Sequence, residues 1–207
     1  MAPYDQQVFL NVPFDTRYKK LLDALVFAVH DCGLIARCAL EQEDSGQVRV
    51  NKLYAIFRDS RFGIHDLSRT TLDSRFRLPR FNMPLELGLF LGARQFGKDA
   101  QRRKSCLILD RERFRYQIFC SDIARQDIRA HGNDVSQVLT AVRNWLQTNV
   151  RSPRKLPGPS ILMTRYVEFR RQLPIMCQHE KLRVSELTFL EYQKFVIAWL
   201  RVNQIDR

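Results

Sequence analysis

The stretch RFGIHDLS, residues 61–68, decides the fold. It reads as a short apolar strand whose polar residues, His65, Asp66 and Ser68, gather at its carboxyl end. Working outward, three similar runs flank it: QQVFLNV at 6–12, LIARCAL at 34–40 and SCLILD at 105–110. Between them lie segments of helical period. The first runs from a cap at Asp15 or Thr16 to about His30, with Leu21, Leu22, Leu25, Val26 and Val29 on one stripe and Gly33 as its stop. A second covers 47–59 and presents Val50, Leu53, Tyr54 and Phe57. The third, NMPLELGLFLGARQF at 82–96, follows an arginine-rich connection. Four strands alternating with helices predict a doubly wound α/β domain with a parallel, flavodoxin-like sheet.

Residues 111–133 show no clear period. An amphipathic helix is expected over 134–150, a linker over 151–160, where three prolines and a glycine cluster, and two more helices over 160–173 and 185–203. The domain reading is therefore a sheet domain over 1–150 and a C-terminal helical appendage over 161–207, available to a protein partner or a second copy of the chain.

The 207 residues are 45% apolar and suit one moderately large domain with a substantial core. No run has the roughly 18–20 apolar residues of a membrane span, and the first 15 residues lack the pattern of a secretion signal. A cytoplasmic protein with no membrane partner is expected. Five scattered cysteines without a CxxC pair suggest neither a zinc site nor a disulfide framework, so no metal is expected. The net charge is +12, and arginine supplies 26 of the 34 basic residues. Arginine forks onto phosphates and carboxylates. An anionic partner follows, with a nucleotide or acidic protein favoured over nucleic acid, for which no recognisable motif is present.

In open parallel sheets ligands bind beyond the carboxyl ends of the strands. Asn11, Pro13, Phe14 and Asp15 leave the first strand there, and His65, Asp66 and Ser68 leave the third. The helix from Asn82, a plausible cap, begins on the same rim, with Glu86 one turn in. A lone acid among Leu85, Leu87, Leu89, Phe90 and Leu91 needs a reason. First-turn amides favour a negative side chain by roughly 0.3–1 kcal/mol. A fixed carboxylate can stabilise or attack an oxocarbenium ion, and Asp66 is the candidate second carboxylate, acting on water or a ribose hydroxyl. Plainer roles remain open. Glu86 can be a helix acid paired with Arg80 or Arg94, Asp66 and Ser68 a strand-end turn, His65 a packed side chain, His131 a turn residue, and Asn11 a backbone tie before Pro13.

The series FLNVPFDTRY, GIHDLS and NMPLELGLFLGA, over roughly residues 7–110, resembles the nucleoside 2-deoxyribosyltransferase-like and TIR-like superfamily. Asp66 and Ser68 match its aspartate–serine pattern after the third strand, and Glu86, Leu87 and Gly88 match its glutamate, apolar residue and glycine. The resemblance implies cleavage of an N-glycosidic bond, with Glu86 as the nucleophile or ribose-contacting acid and with NAD or a nucleotide as substrate rather than cofactor. Bacterial members include effectors that deplete nucleotides during phage defence. The arginine-rich 69–80 segment and RFNMP before the glutamate depart from the family pattern. The candidate site is therefore Glu86 and Asp66 as catalytic groups, with Asn11, Phe14, Asp15, Ser68 and Asn82 binding the substrate. Two alternatives stand beside it: a non-catalytic nucleotide-sensing or assembly module, and a basic nucleic-acid-binding protein.

Overall fold

Five parallel strands form one sheet in the order β2-β1-β3-β4-β5. They are β1 (Gln7–Asn11), β2 (Ile35–Arg37), β3 (Phe62–Asp66), β4 (Ser105–Asp110) and β5 (Arg129–Ala130). Six helices surround them: α1 (Lys19–Asp31), α2 (Arg49–Asp59), α3 (Asn82–Phe96), α4 (Val135–Asn149), α5 (Pro159–His179) and α6 (Phe189–Val202). The computed structural model describes residues 3–41, 46, 48–70, 72, 77–79, 81–150 and 156–204, with only the backbone of Arg49. The architecture is doubly wound α/β with C-terminal helices, as the alternation of periods indicates.

The register fixes which side chains share a face. Val8 pairs with Ala36 and Phe62, and His65 with Ile108. Side chains alternate along each strand. Val8, Leu10, Phe62, Ile64, Leu107 and Leu109 therefore face α1 and α4, where they join Val138, Leu139, Val142 and Leu146 in the main core. On the opposite face Phe9 packs with Leu53, Ile56 and Phe57 of α2, and Ile108 with Leu87 of α3.

β3 lies so close to α3 that Gly63 has no room for a side chain. A Cβ there would sit 2.6 Å from His65 Nε2 and 2.9 Å from the Phe90 ring. Gly63→Ala is expected to lower stability by about 1–3 kcal/mol through overpacking. A urea midpoint unchanged by the substitution would show that this contact yields freely.

The sequence stripe on α1 accounts for only part of its burial. Ala24, Phe27 and Ala28 are completely buried as well, because α5 and α6 cover the side of α1 turned away from the sheet. Phe27 stacks on Phe169 of α5 at 5.3 Å and meets Trp199 of α6 at 5.9 Å. A helix buried all round must pair its acids. Asp23 accepts from Lys19 and Arg170, and Asp31 from Arg165. Part of the arginine content thus serves to hold the third layer onto α1. Tyr192, Val196 and Trp199 of α6 are buried inside this packing. A partner bound through α6 would have to use other residues.

Several boundaries move. The second strand is three residues rather than seven, and a fifth, two-residue strand lies in the segment that showed no period. Thr188 and Glu191 close a reciprocal capping box on α6, which starts at Phe189 rather than 185. Residues 151–155 of the expected 151–160 linker lie outside those described, and α5 already begins at Pro159.

Candidate functional site

The carboxyl ends of β1, β3 and β4 carry Asn11, Asp66 and Asp110. Alternation sends these side chains to different faces. Asp66 follows Phe62 and Ile64 toward α1 and α4, whereas Asn11, His65 and Asp110 face the layer of α2 and α3.

On the α1 side Asp66 is completely buried. Its Oδ2 accepts from the Tyr18 hydroxyl at 2.5 Å, and its Oδ1 accepts from the Ser68 amide at 2.8 Å. His131 Nε2 lies 3.0 Å from Oδ2, within electrostatic contact but without a formed hydrogen bond. His131 Nδ1 accepts from the Asn133 amide, which puts the ring proton on Nε2, facing Asp66. Burial pushes the Asp66 carboxyl up, but the His131 contact and the bonds from Ser68 and Tyr18 outweigh it, and the group lies below its ordinary range. Burial, then the neighbouring carboxylate, holds the Tyr18 hydroxyl well above its usual value.

On the α3 side the Asn11 amide donates one hydrogen to His65 Nδ1 at 3.0 Å and one to the Met83 carbonyl at 2.9 Å. This bond ties the end of β1 to the first turn of α3. It also makes His65 Nδ1 an acceptor, so the proton of the neutral ring is on Nε2. Burial, reinforced by the charge of Lys104, lowers the His65 pKa to about 3. Asp110 Oδ1 accepts from Arg115 and from the Arg111 amide, and Arg115 also reaches the Leu67 carbonyl. Burial outweighs the Arg115 pairing, so the Asp110 carboxyl is raised.

Glu86 is buried at 6% exposure on α3. It is the fifth residue of the helix, and no acid lies in the first turn. The macrodipole argument for its charge is therefore weaker than the sequence suggests, since that effect fades beyond the first turn. Asn82 is the first helical residue and exposed. Phe81 holds the cap position, and no side chain caps the helix. Asp15 is half-buried, and its carboxylate accepts from the amides of Arg17 and Tyr18 and from Arg69 at 3.0 Å. It caps the turn before α1 rather than the helix itself. Phe14 beside it lines a cavity of about 120 Å³ between α1 and α6, with Lys19, Asp23, Thr188 and Tyr192. Nucleotide pockets are several times larger, roughly 300–1,000 Å³.

The structure thus gathers Asn11, His65 and Asp110 on the face covered by the helix of Glu86, and puts Asp66, the expected second carboxylate, on the other face. Tyr18, Asp110 and Arg115 are residues that sequence reasoning missed, and His131, read as a turn residue, holds that turn through the Asn133 amide but also adjoins Asp66. Asp110 was within reach of the strand-end rule that picked Asp66. His131 follows the unread fifth strand, and Tyr18 sits in an irregular turn with no signal.

Five buried polar atoms on this rim have no hydrogen-bond partner among the described residues: Asn11 Oδ1, His65 Nε2, Ser68 Oγ, Asp110 Oδ2 and His131 Nε2. Such atoms are rare in folded proteins and costly, about 1–3 kcal/mol each. Among the described residues no group of three His, Cys, Asp or Glu side chains could hold a metal ion, and no helix is long and apolar enough to cross a membrane. Comparisons with family models, curated proteins and solved structures find no match for this chain.

Proposed function

We propose that this chain binds a nucleotide at the carboxyl edge of its sheet and cleaves the N-glycosidic bond, with NAD or another nucleotide as substrate. The reading is supported chiefly by the two unpartnered acceptors Asn11 Oδ1 and Asp110 Oδ2, on the sheet face that carries α3 and Glu86. Two acceptors suit the hydroxyls of a ribose, which donate. Glu86 then stabilises or attacks the cation at the anomeric carbon. The C–N bond breaks with its electron pair going to the base nitrogen, and water gives its hydroxyl to the anomeric carbon; the water proton passes to the departing base or, where nicotinamide leaves NAD as a neutral pyridine, to solvent. Asp66, tied to Tyr18 and Ser68, acts as a positioning residue for the loop that holds Ser68. Arg69, in the loop after β3, and Arg115, in the short turn after β4 that holds Asp110, suit a phosphate.

One observation favours a second reading, a nucleotide-sensing module without turnover. Asp66 and Asp110 are both held by protein donors, which suits shaping a pocket more than moving protons.

Incubation with NAD and a panel of nucleotides, followed by chromatography of the free base, tests both. Turnover is expected, and Glu86→Gln is expected to lower it by about 100-fold with little loss of thermal stability. Base release that survives Glu86→Gln removes this residue from the chemistry. Thermal stabilisation by a nucleotide without base release supports the sensing module instead, and neither effect overturns both readings.

A further inference from the structure

The outward face of α3 is an apolar helix surface that the fold leaves uncovered. Phe81 is 64% exposed, Leu85 62% and Phe96 85%. Gly88 and Gly92 fill the middle of the same stripe with Leu89, which is half-buried because one side of it packs against the α2 cluster, opposite the buried Leu87 and Phe90. Glycine is the poorest ordinary helix former, so two in one helix interior need a reason. Packing within the chain does not give one, because a Cβ at Gly88 or Gly92 would meet nothing within 4 Å. Glycines without an internal packing role leave the helix backbone open to approach from outside.

The stripe has a further property. Its positions are symmetric about a point between residues 88 and 89. When two such helices lie antiparallel across a twofold axis at that point, Phe81 meets the second copy's Phe96, Leu85 meets Gly92, and Leu89 meets Gly88. Large side chains in the central pairs face glycines, and the aromatic rings pair at both ends. Asn82 and Gln95, both exposed and uncharged, come opposite each other on the flanks, so no like charges meet. Phe81 and Phe96 alone offer roughly 300 Å² per copy. A stable interface needs roughly 800 Å² per partner, and Pro84, Leu85 and Ala93 on the same face add to the rings.

We propose that this face binds a second copy of the chain, α3 against α3, antiparallel, in a twofold-symmetric homodimer. The inference is independent of the reaction proposed above and stands or falls without it. The contact differs from one through the C-terminal helices, whose apolar faces lie inside the fold.

Sedimentation of the full chain, from about 1 to 100 μM, reads the outcome directly. A species of twice the 24.5 kDa chain mass is expected. Leu85→Asp inserts a charge into the centre of the contact twice over, and is expected to raise the dissociation constant about 100-fold or more while the circular dichroism spectrum stays unchanged. Mild oxidation tests the orientation. The double variant Phe81→Cys, Phe96→Cys is expected to give covalent dimers above the wild-type background. Phe81→Cys alone is expected not to, since its two copies would lie roughly 22 Å apart along the helices. A chain that is monomeric at every concentration overturns the proposal, as does a dimer that Leu85→Asp leaves intact. Cross-linking by Phe81→Cys alone, or none by the double variant in a dimeric chain, overturns the antiparallel arrangement.

Discussion

Asp66→Ala is expected to lower folding stability by about 3–5 kcal/mol, measured as a fall in urea midpoint at constant slope. The carboxylate is completely buried and links three chain segments: the turn before α1 through Tyr18, its own loop through Ser68, and the loop before α4 through His131. Removing it leaves the Tyr18 hydroxyl buried without an acceptor and the His131 ring without its neighbouring carboxylate. That penalty, rather than the value of the bonds themselves, sets the size of the effect. Tyr18→Phe is expected to cost less, about 1–2 kcal/mol, because it removes a single donor. Its effect is expected to shrink further in the Asp66→Ala background, since the two groups share one bond. A loss below about 1 kcal/mol for Asp66→Ala would show that the three segments are held together by other means.

Acid is expected to lower the stability of the chain well above the range where carboxylates titrate. His65 has its pKa lowered from 6.5 to about 3, with burial as the main cause and Lys104 second. The unfolded chain therefore takes up a proton at this residue from pH 6.5 downward, whereas the folded chain does not until about pH 3. The unfolded state binds more protons throughout that window, so stability falls as pH falls. From pH 6.5 to 5 the contribution of His65 alone is roughly 2 kcal/mol. His30, lowered to about 4 by burial, acts with the same sign. Asp66 works in a separate window: its lowered pKa gives stability that is lost only below about 3.8. Urea midpoints at pH 7, 6 and 5 check the expectation, with His65→Gln as the control that flattens the slope. A midpoint constant from pH 7 to 5 would mean that the His65 ring reaches water in the folded protein.

The sheet was legible in the sequence because its strands are bounded apolar runs and its helices carry a stripe of period 3.6. SCLILD marks β4 to the residue, and Gly33, at φ +82°, ends α1 where expected. What escaped had weaker local signals. β5 has two residues and pairs through Leu109 and Asp110, a contact that no periodicity within 111–133 encodes. The second, outward burial of α1 was hidden because Ala24, Phe27 and Ala28 acquire their neighbours from helices more than a hundred residues away. The candidate site was legible as a set of strand-end residues, but not as faces. The identity of adjacent residues such as His65 and Asp66 does not reveal that they point into different layers until the register is known. Asn11 shows the same limit. Its link to the Met83 carbonyl joins residues 72 positions apart.

α1 is a common wall for the whole molecule. Tyr18, at its amino end, grips the strand-end aspartate, while Asp23 and Asp31 along its length are clasped by arginines of α5. Shortening the chain before residue 156 would bare Phe27 to water and strand both acids without guanidinium partners. The tail thus works as a splint on the very rod that braces the rim, so loosening one end of the protein necessarily slackens the other.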